Sequence, residues 1–177
     1  MQNQLAWRSN ETTMNETHLA YLNLGSNIRP ETNLPEALKL LSNYGEILKV
    51  SNVWESKPVG TEGENYLNVC ILFKTTHTKK ELKEQVIHPV EKQLGRRRSR
   101  DKFAPRPMDI DIVLFDDIPA SASIWKLAYV VVPLAEIYPT YKIPQLGKTV
   151  FEIATHLRQE VWLEMRQGVI TTLSRSS

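Results

Sequence analysis

The chain has one cysteine, Cys70, in 177 residues. An internal disulfide is therefore excluded and a reducing compartment is implied. Cys70 lies in the apolar run "YLNVCILF", a setting for a small buried residue and not for a nucleophile. No apolar run approaches the roughly 18 residues a membrane helix needs, and the N-terminus carries no signal-peptide hydrophobic segment. The expectation is a cytoplasmic protein without a membrane partner. The histidines, His18, His77, His88 and His156, show no metal-ligand spacing. A net charge of +2 is too small to imply a polyanionic partner. What remains is ordinary for one soluble globular domain, with 41% hydrophobic and 24% charged residues.

Positive charge is concentrated in one stretch, "GRRRSRDKFAPR", which gathers Arg96, Arg97, Arg98, Arg100, Lys102 and Arg106. Taken alone, such a run is a solvated patch or a nucleic-acid contact.

Residues 1–18 are polar and aperiodic and read as a mobile tail; residues 19–166 form the domain and 167–177 a C-terminal tail. "LAYLNLGSN" is an apolar strand closed by Gly25. In "NLPEALKLLSNYG", Leu34, Ala37, Leu38 and Leu41 have helical spacing, with Asn33 as N-cap and Gly45 as stop. "EILKVSNVWESKP" and "NYLNVCILFKTT" read as the second and third strands. A second helix opens with the capping-box pattern Thr78-x-x-Glu81 and buries Leu82, Val86, Val90 and Leu94. Pro89 predicts a kink or break within it. The order is β-α-β-β-α-β, a ferredoxin-like α+β sandwich. The apolar run "LAYVVVPLAEIY" and a last helix within 149–166 add a C-terminal strand and helix extension.

The fourth strand begins at Asp109, in "KFAPRPMDIDIVLFDD". Side chains alternate faces along a strand, so Asp109 and Asp111 point the same way, roughly 6–7 Å apart. Two carboxylates on one face resist burial unless a cation or a shared proton compensates them. For a lone Asp-x-Asp, a solvated pair at a strand edge is the better reading, since the spacing by itself is weak.

The pair does not stand alone. "KFAPRPMDIDIV" resembles the signature of 6-hydroxymethyl-7,8-dihydropterin pyrophosphokinase, an enzyme family of folate synthesis. "AYLNLGSN", "ENYLNVCILF", "VEKQLGR" and "VVPLAEIYP" resemble its other segments, in the family's order, over residues 19 to 157. The resemblance implies Mg²⁺-dependent transfer of pyrophosphate from ATP to the pterin hydroxymethyl oxygen. It implies Asp109 and Asp111 as ligands of Mg²⁺, expected as two ions, and Arg96, Arg98 and Arg106 as catalytic arginines. Glu91, Arg98, Lys102 and Arg106 are expected at ATP. For the pterin it implies Tyr66 and Tyr129 as stacking rings, Asn68 as reader of the ring edge, and hydrogen bonds around Ser56 and Val59.

The chain departs from the family after Asp117. "DDIPASASIWKLAYVVVP" is shorter than the family's loop and has no histidine, and Leu127 stands where the family has an arginine. Lys126 is the one basic residue that could substitute, and Phe103 replaces a usual tryptophan. Three readings follow: the pyrophosphokinase; a pterin-binding relative with weak or altered transfer; and a nucleic-acid module. The last fits least, because "NYLNVCILF" lacks the basic-Gly-aromatic pattern of an RNA-binding strand. Small-molecule substrates and a monomer are the expectation, with the oligomeric state left open.

Overall fold

Three apolar strands form the centre: β1 (His18–Ser26), β4 (Tyr66–Thr75) and β5 (Asp109–Phe115). The computed structural model describes residues 16–60, 62–97, 100–101 and 104–171. β1 pairs antiparallel with both β4 and β5. On the far side of β4 lie β2 (Glu46–Val50) and then β3 (Val53–Ser56). β6 (Ile118–Pro119) extends β5, and β7 (Leu163–Arg166) adds to β3. The result is a seven-stranded sheet in the order β6-β5-β1-β4-β3-β7, with β2 beside β4. Among the described residues, no helix is long and apolar enough to cross a membrane.

Each sheet face buries its own helices. One face packs Leu22, Leu24, Val69 and Ile71 against Leu34, Leu38 and Leu41 of α1 (Pro30–Leu41) and against Leu82, Val86 and Val90. Those last residues belong to a rod made of α2 (Lys79–Glu81), a π-helical stretch (Leu82–Ile87) and α3 (His88–Gln93). The other face packs Tyr21, Cys70 and Leu114 under α4 (Ala128–Ile137) and α5 (Val150–Glu160). A sheet covered on both sides explains why β1 and β4 read as continuous apolar runs without alternation. Cys70 is fully buried, and burial pushes its thiol far above the usual range.

Several expectations are corrected. α1 starts at Pro30 rather than after Asn33, since Pro at the first turn sacrifices no helical hydrogen bond. Asn33 instead donates through Nδ2 to the carbonyls of Ile28 (2.7 Å) and Pro107 (3.1 Å). α1 ends at Leu41, before Gly45; Gly45 is needed for close approach, because a Cβ there would lie 2.4 Å from the Lys74 carbonyl oxygen. "EILKVSNVWESKP" is not one strand: it breaks at Ser51–Asn52 into β2 and β3. The Thr78–Glu81 capping box is present, with Glu81 N–H on Thr78 Oγ1 at 3.3 Å and Thr78 N–H on Glu81 Oε2 at 2.8 Å. Pro89 does not break the rod; it falls in the first turn of α3, after the π stretch has shifted the register.

The apolar run expected to supply a C-terminal strand is helix α4, and the strand of that region is β7, after α5. Eight of the ten α4 residues are buried. Packing between sheet and α5 overrides the strand preference of three consecutive valines. The shortened segment after β5 turns tightly through Asp116 and Asp117, at φ 47° and 63°. Phe115 pairs with Ile118 across that two-residue turn, which is the hairpin that needs two left-handed residues. β1 begins at His18, whose Nδ1 lies 2.6 Å from Asp116 Oδ2. Beyond β7, Val169 and Ile170 pack partly buried against the α1 side of the core.

Candidate active site

Strand register lays the expected residues on one sheet face. Asp109 lies opposite Gly25 and Asp111 opposite Asn23 on β1. Gly25 in turn faces Asn68 on β4, and Asn23 faces Cys70. Ser56 at the end of β3 pairs with Tyr66. α4 covers the rest of this face and brings Tyr129 over the uncovered end. Together they enclose a cavity of about 270 Å³, lined by Asn23, Gly25, Ser56, Val59, Tyr66, Arg106, Asp109, Asp111 and Tyr129, with Lys57 and Pro58 at the rim loop.

Asn68 forms part of the cavity's support. It is 2% exposed, and its Nδ2 donates to Trp54 O at 3.2 Å and Ser56 Oγ at 2.9 Å. Both amide protons are thereby used, and only Oδ1 remains, as an acceptor. That oxygen is 3.1 Å from the point where a Cβ on Gly25 would stand, so glycine keeps the floor open. Burial, and then the nearby carboxylates, raise the Tyr129 phenol; burial raises Tyr66. Neither ring ionises near neutral pH, and both present uncharged faces.

On the other side of the aspartates opens a cleft of about 1870 Å³. Its walls carry Arg29, Lys79, Lys83, Lys92, Arg96, Arg97 and Arg106, against Glu91, Asp101, Asp109 and Asp111. Arg106 is fixed at its backbone: its N–H donates to Asn27 Oδ1 at 2.7 Å, and Asn27 N–H donates to its carbonyl at 3.1 Å. Its Nη1 meets Asp109 Oδ2, while Arg96 Nη1 meets Asp109 Oδ1 at 2.7 Å. Both Asp109 oxygens are thus engaged by guanidinium groups.

Glu91 is buried, with Oε1 accepting from the Ile110 N–H at 2.8 Å and from Arg96 Nη1. Burial raises its carboxyl above the usual range. It faces the protein, orienting Arg96, rather than open solvent. Asp111 is open along the unpaired stretch of the β5 edge, yet neighbouring atoms crowd its carboxyl. That desolvation first, and the Asp109 charge second, raise it to about 6.

The structure therefore brings together Ser56, Val59, Tyr66, Asn68, Tyr129, Arg96, Arg106, Glu91, Asp109 and Asp111. Arg98, Lys102 and Phe103 lie outside the described residues. Lys126 is exposed on a 3₁₀ turn (Ala122–Lys126) and lines neither cavity. Sequence reasoning missed Asn23, Asn27, Asn33 and Lys83. Asn23 was within reach of it, because it lies two residues before Gly25 and so shares that face. Lys83 was not, because the π stretch decides which way it points.

The model of the family described as 7,8-dihydro-6-hydroxymethylpterin-pyrophosphokinase (HPPK) matches residues 21–139. The chain is 36% identical over 142 residues to the 2-amino-4-hydroxy-6-hydroxymethyldihydropteridine pyrophosphokinase of Aquifex aeolicus, covering 75% of this chain and 88% of the relative. It is 36% identical over 132 residues to the Bacillus subtilis protein of the same name, covering 68% and 78%. Among solved structures, a Plasmodium falciparum HPPK-DHPS triple mutant with SDX-DHP superposes with a TM-score of 0.67 at 16% identity, over 84% of this chain and 46% of that one. That likeness speaks for the fold, and the chain spans less than half of the Plasmodium chain. With a family match that runs from β1 to the end of α4 and holds both aspartates, the chain belongs to the 7,8-dihydro-6-hydroxymethylpterin-pyrophosphokinase family of enzymes.

Proposed function

We propose that this protein transfers the β,γ-pyrophosphoryl group of ATP to 6-hydroxymethyl-7,8-dihydropterin in folate synthesis. One observation carries the reading. The small aromatic-walled cavity and the large cationic cleft share three residues, Arg106, Asp109 and Asp111. A flat heterocycle in the first and a triphosphate in the second would meet at that seam.

In the reaction, the hydroxymethyl oxygen attacks the β-phosphorus and releases its proton. The bond from the β-phosphorus to the α–β bridging oxygen breaks, and AMP leaves with that oxygen. Phosphoryl transfer of this kind depends on position and charge. Tyr66 and Tyr129 hold the pterin ring between them, and Asn68 Oδ1 accepts from its edge. Ser56 fixes the Asn68 amide, and Val59 closes the rim. Arg96, Arg98 and Arg106 stabilise the charge on the transferred group, with Lys102 on the triphosphate. Glu91 acts on ATP through Arg96, which it orients. Asp109 and Asp111 fit Mg²⁺ in the mode that uses one or two carboxylates plus substrate phosphates. Burial first, and the Asp109 charge second, raise Asp111, and a bound dication would offset both. Mg²⁺, expected as two ions, supplies Lewis-acid neutralisation of the phosphates.

The same reading takes the β1–β5 core as ferredoxin-like, which the central position of β1 and β4 supports. A reducing, cytoplasmic setting suits the buried free thiol of Cys70. The test is AMP formation from ATP and Mg²⁺ with and without the pterin, beside an Asp109→Ala/Asp111→Ala control. Pterin-dependent AMP that the control abolishes is expected. The alternative, a pterin binder with weak or altered transfer, draws on the position of Lys126 away from the cleft. Pterin binding without AMP formation would select it.

A further inference from the structure

The carboxylate of Glu136 has no task in the reaction above, and helix α4 itself gains nothing from it. Glu136 is the penultimate residue of α4, where the negative end of the helix dipole opposes an anion. Both of its oxygens are nevertheless engaged, and by the sheet. Oε2 accepts the Asn52 backbone N–H at 2.6 Å, while Oε1 accepts Asn52 Nδ2 at 3.2 Å and Trp54 Nε1 at 3.1 Å. Asn52 lies in the break between β2 and β3, so Glu136 takes up an N–H at the point where the strand is interrupted.

What Glu136 grips stands beside the smaller cavity. Trp54 is buried and is the direct cross-strand partner of Asn68, whose Nδ2 donates to the Trp54 carbonyl. Arg158 of α5 lies over the indole, 5.0 Å from its centroid. The ring is thus held at its N–H and on one face. Tyr129 stands seven residues before Glu136, two helical turns or about 10.5 Å along α4 and on the same side of it. Val131 and Leu134 meet the sheet through apolar contact, which is non-directional and does not choose where along the sheet the helix rests. The hydrogen bonds of Glu136 do choose. They tie the helix side that carries Tyr129 to the neighbour of Asn68.

Resting on the pyrophosphokinase reading, we propose that Glu136 is a positioning residue for the pterin: by fastening α4 to Asn52 and Trp54, it sets the height of the Tyr129 ring over the cavity. It touches no substrate, and it acts on pterin binding through Tyr129.

A double-mutant cycle read by calorimetric titration tests this, at a temperature where every variant is folded. 6-Hydroxymethylpterin is titrated into protein saturated with Mg²⁺ and a non-hydrolysable ATP analogue, and the nucleotide is titrated separately. Glu136→Ala is expected to weaken the pterin about five- to tenfold and to leave nucleotide affinity within about twofold. Glu136→Gln keeps one acceptor oxygen and should recover part of the loss. In a Tyr129→Ala background, Glu136→Ala should cost less than about twofold, because the ring it positions is gone. An undiminished loss in that background overturns the assignment. So does equal weakening of pterin and nucleotide, which would make Glu136 a structural residue of the whole fold. Wild-type protein that binds the nucleotide but not the pterin would instead overturn the functional reading on which the assignment rests.

Discussion

Glu91 Oε1 accepts the backbone N–H of Ile110 at 2.8 Å, so a carboxylate on α3 fastens the strand that carries both aspartates. The same oxygen receives Arg96 Nη1, and the side chain is 6% exposed. Glu91→Ala would leave the buried Ile110 N–H without its acceptor and Arg96 with Asp109 as its remaining carboxylate, and should lower the unfolding free energy by about 3 kcal/mol. Glu91→Gln keeps an oxygen for Ile110 and should lose less. Urea unfolding of the two variants measures this, and equal losses would show that the charge matters and the acceptor does not.

Gly25 and Gly45 separate site from fold. A Cβ on Gly25 would lie 3.1 Å from Asn68 Oδ1 and 3.8 Å from Tyr66 Cδ1. Gly25→Ala should weaken pterin binding about tenfold while leaving the melting temperature close to wild type. A Cβ on Gly45 would lie 2.4 Å from a β4 carbonyl oxygen, a clash with backbone that cannot rotate away. Gly45→Ala should therefore destabilise by about 2–3 kcal/mol. Pterin affinity in the folded protein should not change.

Arg106 meets Asp109 through Nη1 and lines both the cavity and the cleft. Arg106→Met should reduce kcat by about 10²–10³-fold, the scale of one charge-stabilising donor in a closed site. Arg106→Lys should recover only part of this, because an ammonium lacks the planar fork. Steady-state kinetics decide it; full recovery by lysine would show that charge alone suffices.

Arg166 on β7 ties the outer edge strand to β3, beside the smaller cavity. Glu55 Oε2 meets its Nη1, and Glu55 Oε1 accepts from Asn65 Nδ2 at 2.9 Å, next to Tyr66. The Asn65 hydrogen bond first, and Arg166 after it, hold the Glu55 carboxyl below the usual range. A depressed folded-state pKa contributes stability above the unfolded value, about 4.3, and loses it as pH falls through the folded one. Arg166→Met should thus melt below wild type at pH 7, with the gap closing towards pH 3. A gap independent of pH would assign the effect to packing.

Which candidate site residues share a strand face was legible in the chain because it rests on local rules. Period-two alternation put Asp109 and Asp111 on one face, and put Tyr66 and Asn68 on another strand's face, whatever the fold around them. The Thr78–Glu81 box was legible for the same reason: it closes within four residues. Helix α4 was not. With eight of its ten residues buried, it shows no polar face, and a buried helix and a buried strand look alike in sequence. The division of "EILKVSNVWESKP" into β2 and β3, and the π register that turns Lys83 into the cleft, are likewise set by what each segment packs against. Glu91 shows the limit most directly. Its place before a Gly-Arg turn marked it as a site residue, but its partners, Ile110 and Arg96, are known only once α3 lies against β5. Sequence determined which groups could act and which shared a strand face, because those follow from backbone geometry over a few residues. Tertiary structure alone decided which strands became neighbours, and with that which carboxylate meets which arginine and which side chains line the smaller cavity.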